Sequence, residues 1–389
     1  MRDFIYYAPT KVYFGKDKEM EVGSIIKGYG YKKIMMQYGK ESIKKSGLYD
    51  TVMKSLKEND ITVVEMGGVE PNPKLEFVRK ATEIAKCEEV EMILAVGGGS
   101  VIDSSKATAA AAYNNCDPWE LYVNPVKPKK ALPVGCILTI AAAGSEMSGN
   151  AVITNMEENM KRGFGSDGLR CLFSIMNPEL TYSVSKYQTA CGIVDIMAHT
   201  MERYFTNIEP TEITDRISEG ILKTVISAGK TLMEKPNDYD ARANMMWASS
   251  LSHNNLTSCG RDSFLAVHQL EHAVSGEYDS VAHGAGLAVL FPAWARYVYK
   301  LKPERFSQFA RCVWDVEEND DLKASLMGIE KMEEFFRFIG MPLTLSELDV
   351  PKESLERLAD LCTFGRTRTI KSYTELDYDK ILKIFKSCL

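Results

Sequence analysis

Histidine is scarce in this sequence, and several patterns typical of particular protein classes are missing from it. The 389 residues carry 47 Lys and Arg against 53 Asp and Glu, a formal net charge of −6, without blocks of basic residues. Nucleic-acid and membrane-surface binders need a basic face, so neither kind of partner is expected. No apolar run is long enough to span a bilayer, and no signal-peptide pattern opens the chain.

Cysteine is present but lacks the spacing of a metal knuckle. The nine cysteines have no CxxC pair, and their number is odd. Several lie in apolar segments, as Cys136 does between Gly135 and Ile137. This distribution favours reduced core thiols over a disulfide framework, and a cytoplasmic location is therefore expected.

Strand and helix patterns alternate through the first half of the chain. Apolar strand patterns recur in the segments 33–39, 61–66, 91–96 and 132–140, with helical spacing between them. This alternation predicts βαβ units in a mostly parallel, doubly wound sheet.

The N-terminal stretch Phe4–Phe14 is rich in Tyr and β-branched residues and predicts a short strand pair or edge hairpin. The pair could be a plain edge of the sheet or could pair two subunits, and on the second interpretation a homodimer is expected.

Long amphipathic stretches replace the strands from Gln188 onward. The pattern predicts an all-helical second domain with a boundary near residues 184–187. We expect an α/β domain over residues 1–184 and a helical domain over residues 185–389.

A glycine turn, Gly97-Gly98-Gly99-Ser100, follows a buried-strand pattern and precedes a helical one. Glycines let backbone N–H groups approach a phosphate, and a helix N-terminus favours its charge. Ile102 stands where a full dinucleotide fingerprint has its third glycine, so the motif alone equally fits a tight structural turn. The strand–turn–helix context favours a pyrophosphate cradle in a Rossmann-like domain.

The end of the first predicted parallel strand bears on which nucleotide binds. Lys40, Ser42 and Lys45 could surround a 2′-phosphate, whereas Glu41 is the residue type that meets the ribose of NAD. NADP(H) is favoured and NAD(H) is possible. The alternative is a solvated, charged helix start.

Three of the five histidines fall within residues 267–286. His268 and His272 are four residues apart, as are Asp195 and His199, so each pair lies on one face of a helix. An Asp within an apolar helix face is costly unless it is paired or bound to a metal. With His283, these residues provide one carboxylate and several imidazoles, which suit Fe²⁺ or Zn²⁺. Satisfied core histidines and a local Asp–His hydrogen bond are the alternatives, and His253 has no partner at ligand spacing.

The combination of these motifs resembles the iron-containing (group III) alcohol dehydrogenases. Further sequence motifs, among them Gly68-Val-Glu-Pro-Asn-Pro73 and Gly149-Asn-Ala-Val-Ile-Thr-Asn155, resemble the NADP(H)-dependent butanol dehydrogenase branch of this family. The resemblance implies a dehydroquinate synthase-like fold, with an N-terminal Rossmann-like nucleotide domain, an all-α metal-binding domain and a site in the cleft between them.

Site residues follow from the same resemblance. The implied metal ligands are Asp195, His199, His268 and His283, and His272 is implied as the proton-carrying residue. The implied cofactor-contacting residues, with those at the strand end, are Gly39, Lys40, Ser42, Lys45, Asn72, Gly98, Gly99, Ser100, Asp103, Thr139, Asn150 and Lys161. Two departures are Ala143, where the family often has Thr, and Lys40-Glu41 in place of small residues.

The expected reaction is hydride transfer between a nicotinamide and a primary alcohol or aldehyde such as butanol or butanal. The metal, Fe²⁺ or Zn²⁺, would act as a Lewis acid on the substrate oxygen. Two rival hypotheses remain: a glycerol dehydrogenase-like polyol oxidoreductase on the same fold, and a catalytically idle nucleotide- or metal-binding protein. The basic cluster that a dehydroquinate synthase needs is not found in the sequence.

Overall fold

The computed structural model describes residues 1–124 and 128–389. Contacts divide the chain into two compact units, Tyr7–Val184 and a second unit that joins Met1–Tyr6 to Ser185–Leu389. Met1–Tyr6 thus group with the second unit, although the sequence-based division assigns them to the first.

A six-stranded parallel sheet forms the centre of the first unit. The strands are β1 (Lys11–Phe14), β2 (Lys33–Tyr38), β3 (Thr62–Gly67), β4 (Met92–Gly97), β5 (Val134–Leu138), β6 (Asn150–Asn155), β7 (Met160–Gly165) and β8 (Phe173–Met176). The order in the sheet is β1-β8-β5-β4-β2-β3, and all its pairs are parallel. Strand β4 is buried along its whole length, as its uninterrupted apolar run predicts.

Six α-helices accompany the sheet within the described residues of this unit. They are α1 (Val22–Gly28), α2 (Ser42–Lys45), α3 (Leu48–Glu58), α4 (Leu75–Cys87), α5 (Gly99–Asn114) and α6 (Glu120–Val123). One apolar cluster joins α1 and α3 to the strands, and another joins α4 and α5 to β6 and β7. The chain leaves β2 toward β3 and leaves β4 toward β5, so the sheet has a switch point between β2 and β4. Ligands bind at the carboxyl ends of strands beside such a point.

Two local predictions in this unit need correction. The N-terminal hairpin is wrong, because only Lys11–Phe14 forms a strand and it pairs in parallel with Phe173–Met176. That strand does lie at the edge of the sheet. The antiparallel hairpin of β6 and β7 was not predicted, since its polar residues and short strands give no clear alternation.

The second unit is built from helices. They are α7 (Lys186–Tyr204), α8 (Glu212–Glu234), α9 (Tyr239–His253), α10 (Ala266–Glu277), α11 (His283–Val298), α12 (Pro303–Trp314), α13 (Asp321–Phe338), α14 (Leu355–Thr363) and α15 (Tyr378–Ser387). The fold class predicted from the sequence, an α/β unit followed by a helical one, is confirmed.

Helix α7 is the most buried long element of the second unit, and both its ends are fixed. Ser185 caps the N-terminus by accepting a hydrogen bond from the Gln188 N–H at 3.2 Å. At the other end Arg305 donates to the Tyr204 carbonyl at 2.8 Å. The buried guanidinium of Arg305 is in turn paired with Asp215, so its charge is compensated.

In the part of the chain that the structure describes, no helix combines the length and apolar character needed to cross a membrane. All nine cysteines are free thiols.

Candidate functional site

One face of α7 carries three acidic or imidazole side chains in an otherwise apolar environment. Asp195, His199 and Glu202 follow at intervals of four and three residues, which aligns them along the helix. All three are buried, with exposures of 4%, 5% and 4%. Such groups are stable inside a protein only with partners, so this face must meet complementary groups.

The partners come from α10 and α11. The Asp195 carboxylate oxygen Oδ1 lies 3.3 Å from His199 Nε2, 3.4 Å from His268 Nε2 and 3.9 Å from His283 Nε2. The structure thus brings all four sequence-predicted ligands together, with three Nε2 atoms directed at one carboxylate oxygen.

The donor atoms have the spacing of a metal site. Metal–ligand bonds of about 2.0–2.1 Å place neighbouring tetrahedral ligands about 3.3–3.4 Å apart. The ligand atoms of Asp195, His199 and His268 all lie within 4.8 Å of one another and are buried. His283 is half-buried, with its side chain 24% exposed, and closes the cluster on its more open side. The residues therefore fit a divalent transition metal.

The other ring nitrogens of two of these histidines meet carboxylates. His268 Nδ1 contacts Glu202, and His283 Nδ1 contacts Glu271. Both glutamate side chains are almost completely buried. A carboxylate at Nδ1 fixes the imidazole proton there and leaves Nε2 free to bind a metal. Sequence reasoning missed both glutamates. Glu271 follows His268 by three residues yet pairs with His283, so spacing could not have identified its partner.

His199 has a different partner at its Nδ1. That atom lies 2.8 Å from Nδ1 of His253, the last residue of α9. Arg203 NH2 is 3.1 Å from the same His253 nitrogen. Sequence analysis gave His253 no role because it has no neighbour at ligand spacing. The contact spans 54 residues and depends on the packing of α7 against α9.

Electrostatics distinguish the imidazoles in the metal-free chain. Burial would lower the pKa of His268, but the Glu202 and Asp195 carboxylates beside it raise the pKa to about 9. Burial and the nearby rings of His253 and His268 push the pKa of His199 well below its usual value. The pKa values of these two histidines therefore move in opposite directions: two carboxylates outweigh burial at His268, whereas burial and neighbouring imidazoles dominate at His199.

His272 lies one turn after His268 on α10, and its ring centre is 5.6 Å from that of His283. It is half-buried, and its ligand atoms lie within 4.8 Å of those of Glu271 and His283. The structure thus places His272 at the more open side of the cluster.

Some of the predicted cofactor residues of the first unit lie just after the carboxyl ends of β4 and β5. Gly98, Gly99 and Ser100 lie between β4 and the first turn of α5, and Thr139 follows β5 directly. A Cβ on Gly98 would lie 2.2 Å from Ile140 Cγ2, whereas one on Gly99 would lie 3.6 Å from the Ala143 Cβ. A side chain at Gly98 would thus clash with Ile140, whereas one at Gly99 would make an ordinary van der Waals contact with Ala143. The first turn of α5 offers backbone N–H groups to an anion.

Asp103 is engaged inside the protein. Its carboxylate accepts hydrogen bonds from Ser145 Oγ at 2.5 Å and from the Val152 N–H at 2.9 Å. Burial raises the pKa of Asp103, while the nearby Lys106 ammonium lowers it. Lys106 Nζ donates to the Asn150 carbonyl at 3.0 Å and to two further carbonyls of the preceding loop. Asp103 and Lys106 thus hold the loop that leads to Asn150, the first residue of β6, against α5.

Asn72 and Lys161 meet each other. Lys161 Nζ donates to Asn72 Oδ1 at 3.0 Å, and Asn72 adopts the left-handed backbone conformation with φ 50°. Their contact links the loop after β3 to β7, 89 residues later.

Gly39 and the three residues predicted around the 2′-position, Lys40, Ser42 and Lys45, follow β2. Ser42 and Lys45 form the two ends of the short helix α2, and all but Gly39 are exposed. Lys40 Nζ forms an ion pair with Glu70 Oε1 at 2.7 Å, so part of the positive charge at this edge is already compensated.

Comparison with known proteins covers both units. Residues 9–178 match the family model described as iron-containing alcohol dehydrogenase, and residues 189–389 match the model of the C-terminal part of that family.

Individual relatives extend over almost the whole chain. The NADH-dependent butanol dehydrogenase A of Clostridium acetobutylicum is 43% identical over 388 residues, 99% of each chain. The NADPH-dependent aldehyde reductase YqhD of Escherichia coli is 35% identical over 361 residues, 92% of each chain. The crystal structure of NADH-dependent butanol dehydrogenase A from Thermotoga maritima superposes with a TM-score of 0.96 at 39% identity, covering 100% of this chain and 99% of the other.

Proposed function

Because this chain belongs to the iron-containing alcohol dehydrogenase family, we propose that its Asp–His cluster binds the catalytic metal of an alcohol dehydrogenase and aldehyde reductase. The observation that carries the proposal is the convergence of three Nε2 atoms on Asp195 Oδ1, at 3.3, 3.4 and 3.9 Å. A hydrophobic core has no need for this arrangement, and a divalent cation would neutralise the buried carboxylates around it.

Asp195, His199, His268 and His283 would hold the metal, and Fe²⁺ is proposed ahead of Zn²⁺. The metal would supply a Lewis acid for the substrate oxygen and a nicotinamide would supply the hydride chemistry. Glu202 and Glu271 would orient two of the rings through their Nδ1 atoms.

His272 is proposed as the residue that moves the proton. A half-buried imidazole beside the cluster can exchange protons with solvent, unlike the buried rings of His199 and His268. Its ring would accept the alcohol proton during oxidation and return it during aldehyde reduction.

The cofactor is proposed to bind at the switch point of the sheet. Gly98, Gly99 and Ser100 would meet the pyrophosphate at the N-terminus of α5. The remaining predicted contacts to the cofactor are Gly39, Lys40, Ser42, Lys45, Asn72, Asp103, Thr139, Asn150 and Lys161. Asp103 would act chiefly by holding the loop that leads to Asn150.

We propose a preference for NADP(H), because Lys40, Ser42 and Lys45 provide two cations and a hydroxyl at one strand end. The Lys40–Glu70 ion pair limits the size of the preference. The relatives differ in the cofactor that they are named for: butanol dehydrogenases are named as NADH-dependent and an aldehyde reductase as NADPH-dependent.

Primary alcohols and aldehydes such as butanol and butanal are the proposed substrates, after the names of the relatives. A homodimer is also proposed, because β1 lies at the sheet edge and the side chains of Phe4 and Ile5 in the preceding segment are 53% and 95% exposed.

The direct test starts from protein stripped of metal and reloaded separately with Fe²⁺ and Zn²⁺. Consumption of NADPH and NADH is followed with butanal and with dihydroxyacetone, the carbonyl partner of a polyol. Metal-dependent reduction of butanal is expected. Turnover of dihydroxyacetone alone would support the polyol alternative, and binding of cofactor without any turnover would support an idle protein.

A further inference from the structure

The three imidazoles of the metal cluster have different partners behind them. Carboxylates contact Nδ1 of His268 and His283, whereas a third imidazole, His253, stands 2.8 Å from Nδ1 of His199. Two bare ring nitrogens would repel each other at this distance, so one of the two Nδ1 atoms carries a proton. Which of them donates decides whether His199 presents a bare Nε2 to a metal.

Arg203 settles the direction of this hydrogen bond. Its NH2 group lies 3.1 Å from His253 Nδ1. A guanidinium can only donate hydrogen bonds, so His253 Nδ1 must accept. The proton between the two rings therefore belongs to His199 Nδ1, and Nε2 of His199, on the side of Asp195, carries the lone pair.

Arg203 is itself held firmly in this position. Its NH1 donates to the His199 main-chain carbonyl at 2.6 Å, and its Nε donates to Ser258 Oγ at 3.1 Å. NH1 also approaches His199 Nδ1 at 3.4 Å, but its short bond to the carbonyl is the stronger contact. Arg203 as a whole is 3% exposed, so these contacts face little competition from water.

We infer that His253, held by Arg203, is a positioning residue that fixes His199 in the metal-binding tautomer. His253 acts by keeping the proton of His199 on Nδ1, the nitrogen that lies away from Asp195. This inference rests on the proposed metal site. His253 would do for His199, as an uncharged ring, what Glu202 and Glu271 do for His268 and His283.

Substitutions at position 253 separate this role from simple packing. His253→Phe keeps an aromatic ring but removes the hydrogen-bond acceptor. His253→Leu also removes the acceptor and replaces the ring with an aliphatic side chain. His253→Asn restores an acceptor, because its Oδ1 occupies the place of Nδ1. Ser252→Ala is the matched control, since it removes a buried hydrogen bond to the Ser249 carbonyl on the same helix.

The experiment loads each full-length variant with Co²⁺ and measures the visible absorption spectrum and the rate of Co²⁺ release to a chelator. Loss of a partner behind a ligand weakens metal binding by roughly 10–100-fold, so release from the Phe and Leu variants should accelerate on that scale with an altered spectrum. His253→Asn and Ser252→Ala should release Co²⁺ near the wild-type rate. Thermal melting of the metal-free variants shows which of them are folded.

Wild-type rates and spectra in both the Phe and Leu variants would overturn the role of His253 while leaving the metal site intact. Equal acceleration in Phe, Leu and Asn variants would also overturn it, because the effect would then follow packing rather than the acceptor. Failure of the wild-type protein to bind Co²⁺ at all would instead reject the proposed function.

Discussion

The two units prepare their candidate sites by different means. In the helical unit the site consists of charged and imidazole side chains that are buried and fixed by further side chains, as Glu202 fixes His268. In the α/β unit the proposed pyrophosphate cradle consists of main chain at the start of α5, where Gly98 packs against Ile140. Side-chain sites should be sensitive to the chemistry of a residue, whereas main-chain sites should be sensitive to its volume.

The largest loss of metal and activity is expected from a substitution of Asp195, whose carboxylate lies close to all three Nε2 atoms. Asp195→Asn keeps the volume of the side chain but removes its charge. We expect loss of bound metal and a fall in turnover by about 10³-fold or more, since the metal supplies several kcal/mol of stabilisation. Elemental analysis measures the loss of metal, and the rate of butanal reduction measures the loss of turnover. Full metal content in the variant would contradict the ligand assignment.

The carboxylates behind the rings should have the next largest effect. Glu202→Gln and Glu271→Gln each preserve an acceptor for Nδ1–H but remove the negative charge, so we expect metal affinity to fall by roughly 10–100-fold. Competition with a chelator measures the affinity. Glu333→Gln, at an ion pair with Arg296 on the surface, is the control and should leave it unchanged. If the glutamates matter only as packing, both glutamine variants will behave like that control.

In the α/β unit, an added side-chain volume at the glycine turn should affect cofactor binding and stability. Gly98→Ala places a Cβ 2.2 Å from Ile140 Cγ2, and Gly99→Ala places one 3.6 Å from the nearest atom. Overpacking costs roughly 1–3 kcal/mol, so we expect Gly98→Ala to weaken cofactor binding about tenfold and to lower the melting temperature. Gly99→Ala should leave the melting temperature unchanged. Nicotinamide fluorescence and thermal melting distinguish the two variants, and equal melting of both would mean that the turn adjusts freely.

The same contrast explains what could be predicted from the sequence. Asp195, His199, His268 and His283 could be proposed from the sequence because potential ligands occur at helical spacing or close together, and the family resemblance then separated them from His272. His253 and Glu271 could not be proposed, because their partners lie on other helices and only tertiary packing brings them together.

Backbone features behave differently. The strand runs of β2 to β5 were predicted from their apolar patterns, and the glycine turn from its place between strand and helix. The parallel pairing of Lys11–Phe14 with Phe173–Met176 was not foreseen, because it joins segments about 160 residues apart that carry no turn signal. The roles of Asp103 and Lys106 in holding the loop before β6 likewise depend on contacts about 40 residues distant.

The smallest effect is expected from the exposed charges that follow β2 in the α/β unit. Glu70→Gln releases Lys40 from its ion pair at 2.7 Å, and a freed ammonium would favour a 2′-phosphate. Exposed pairs contribute about 0.2–1 kcal/mol, so the preference for NADPH over NADH should rise by at most about fivefold. Glu88→Gln breaks a similarly exposed pair with Lys33, at the amino end of β2 and away from the predicted cofactor residues. The ratio of kcat/KM values for the two cofactors should change in the first variant alone. An unchanged ratio in both would place the 2′-position away from Lys40 and leave the cofactor preference to Ser42 and Lys45.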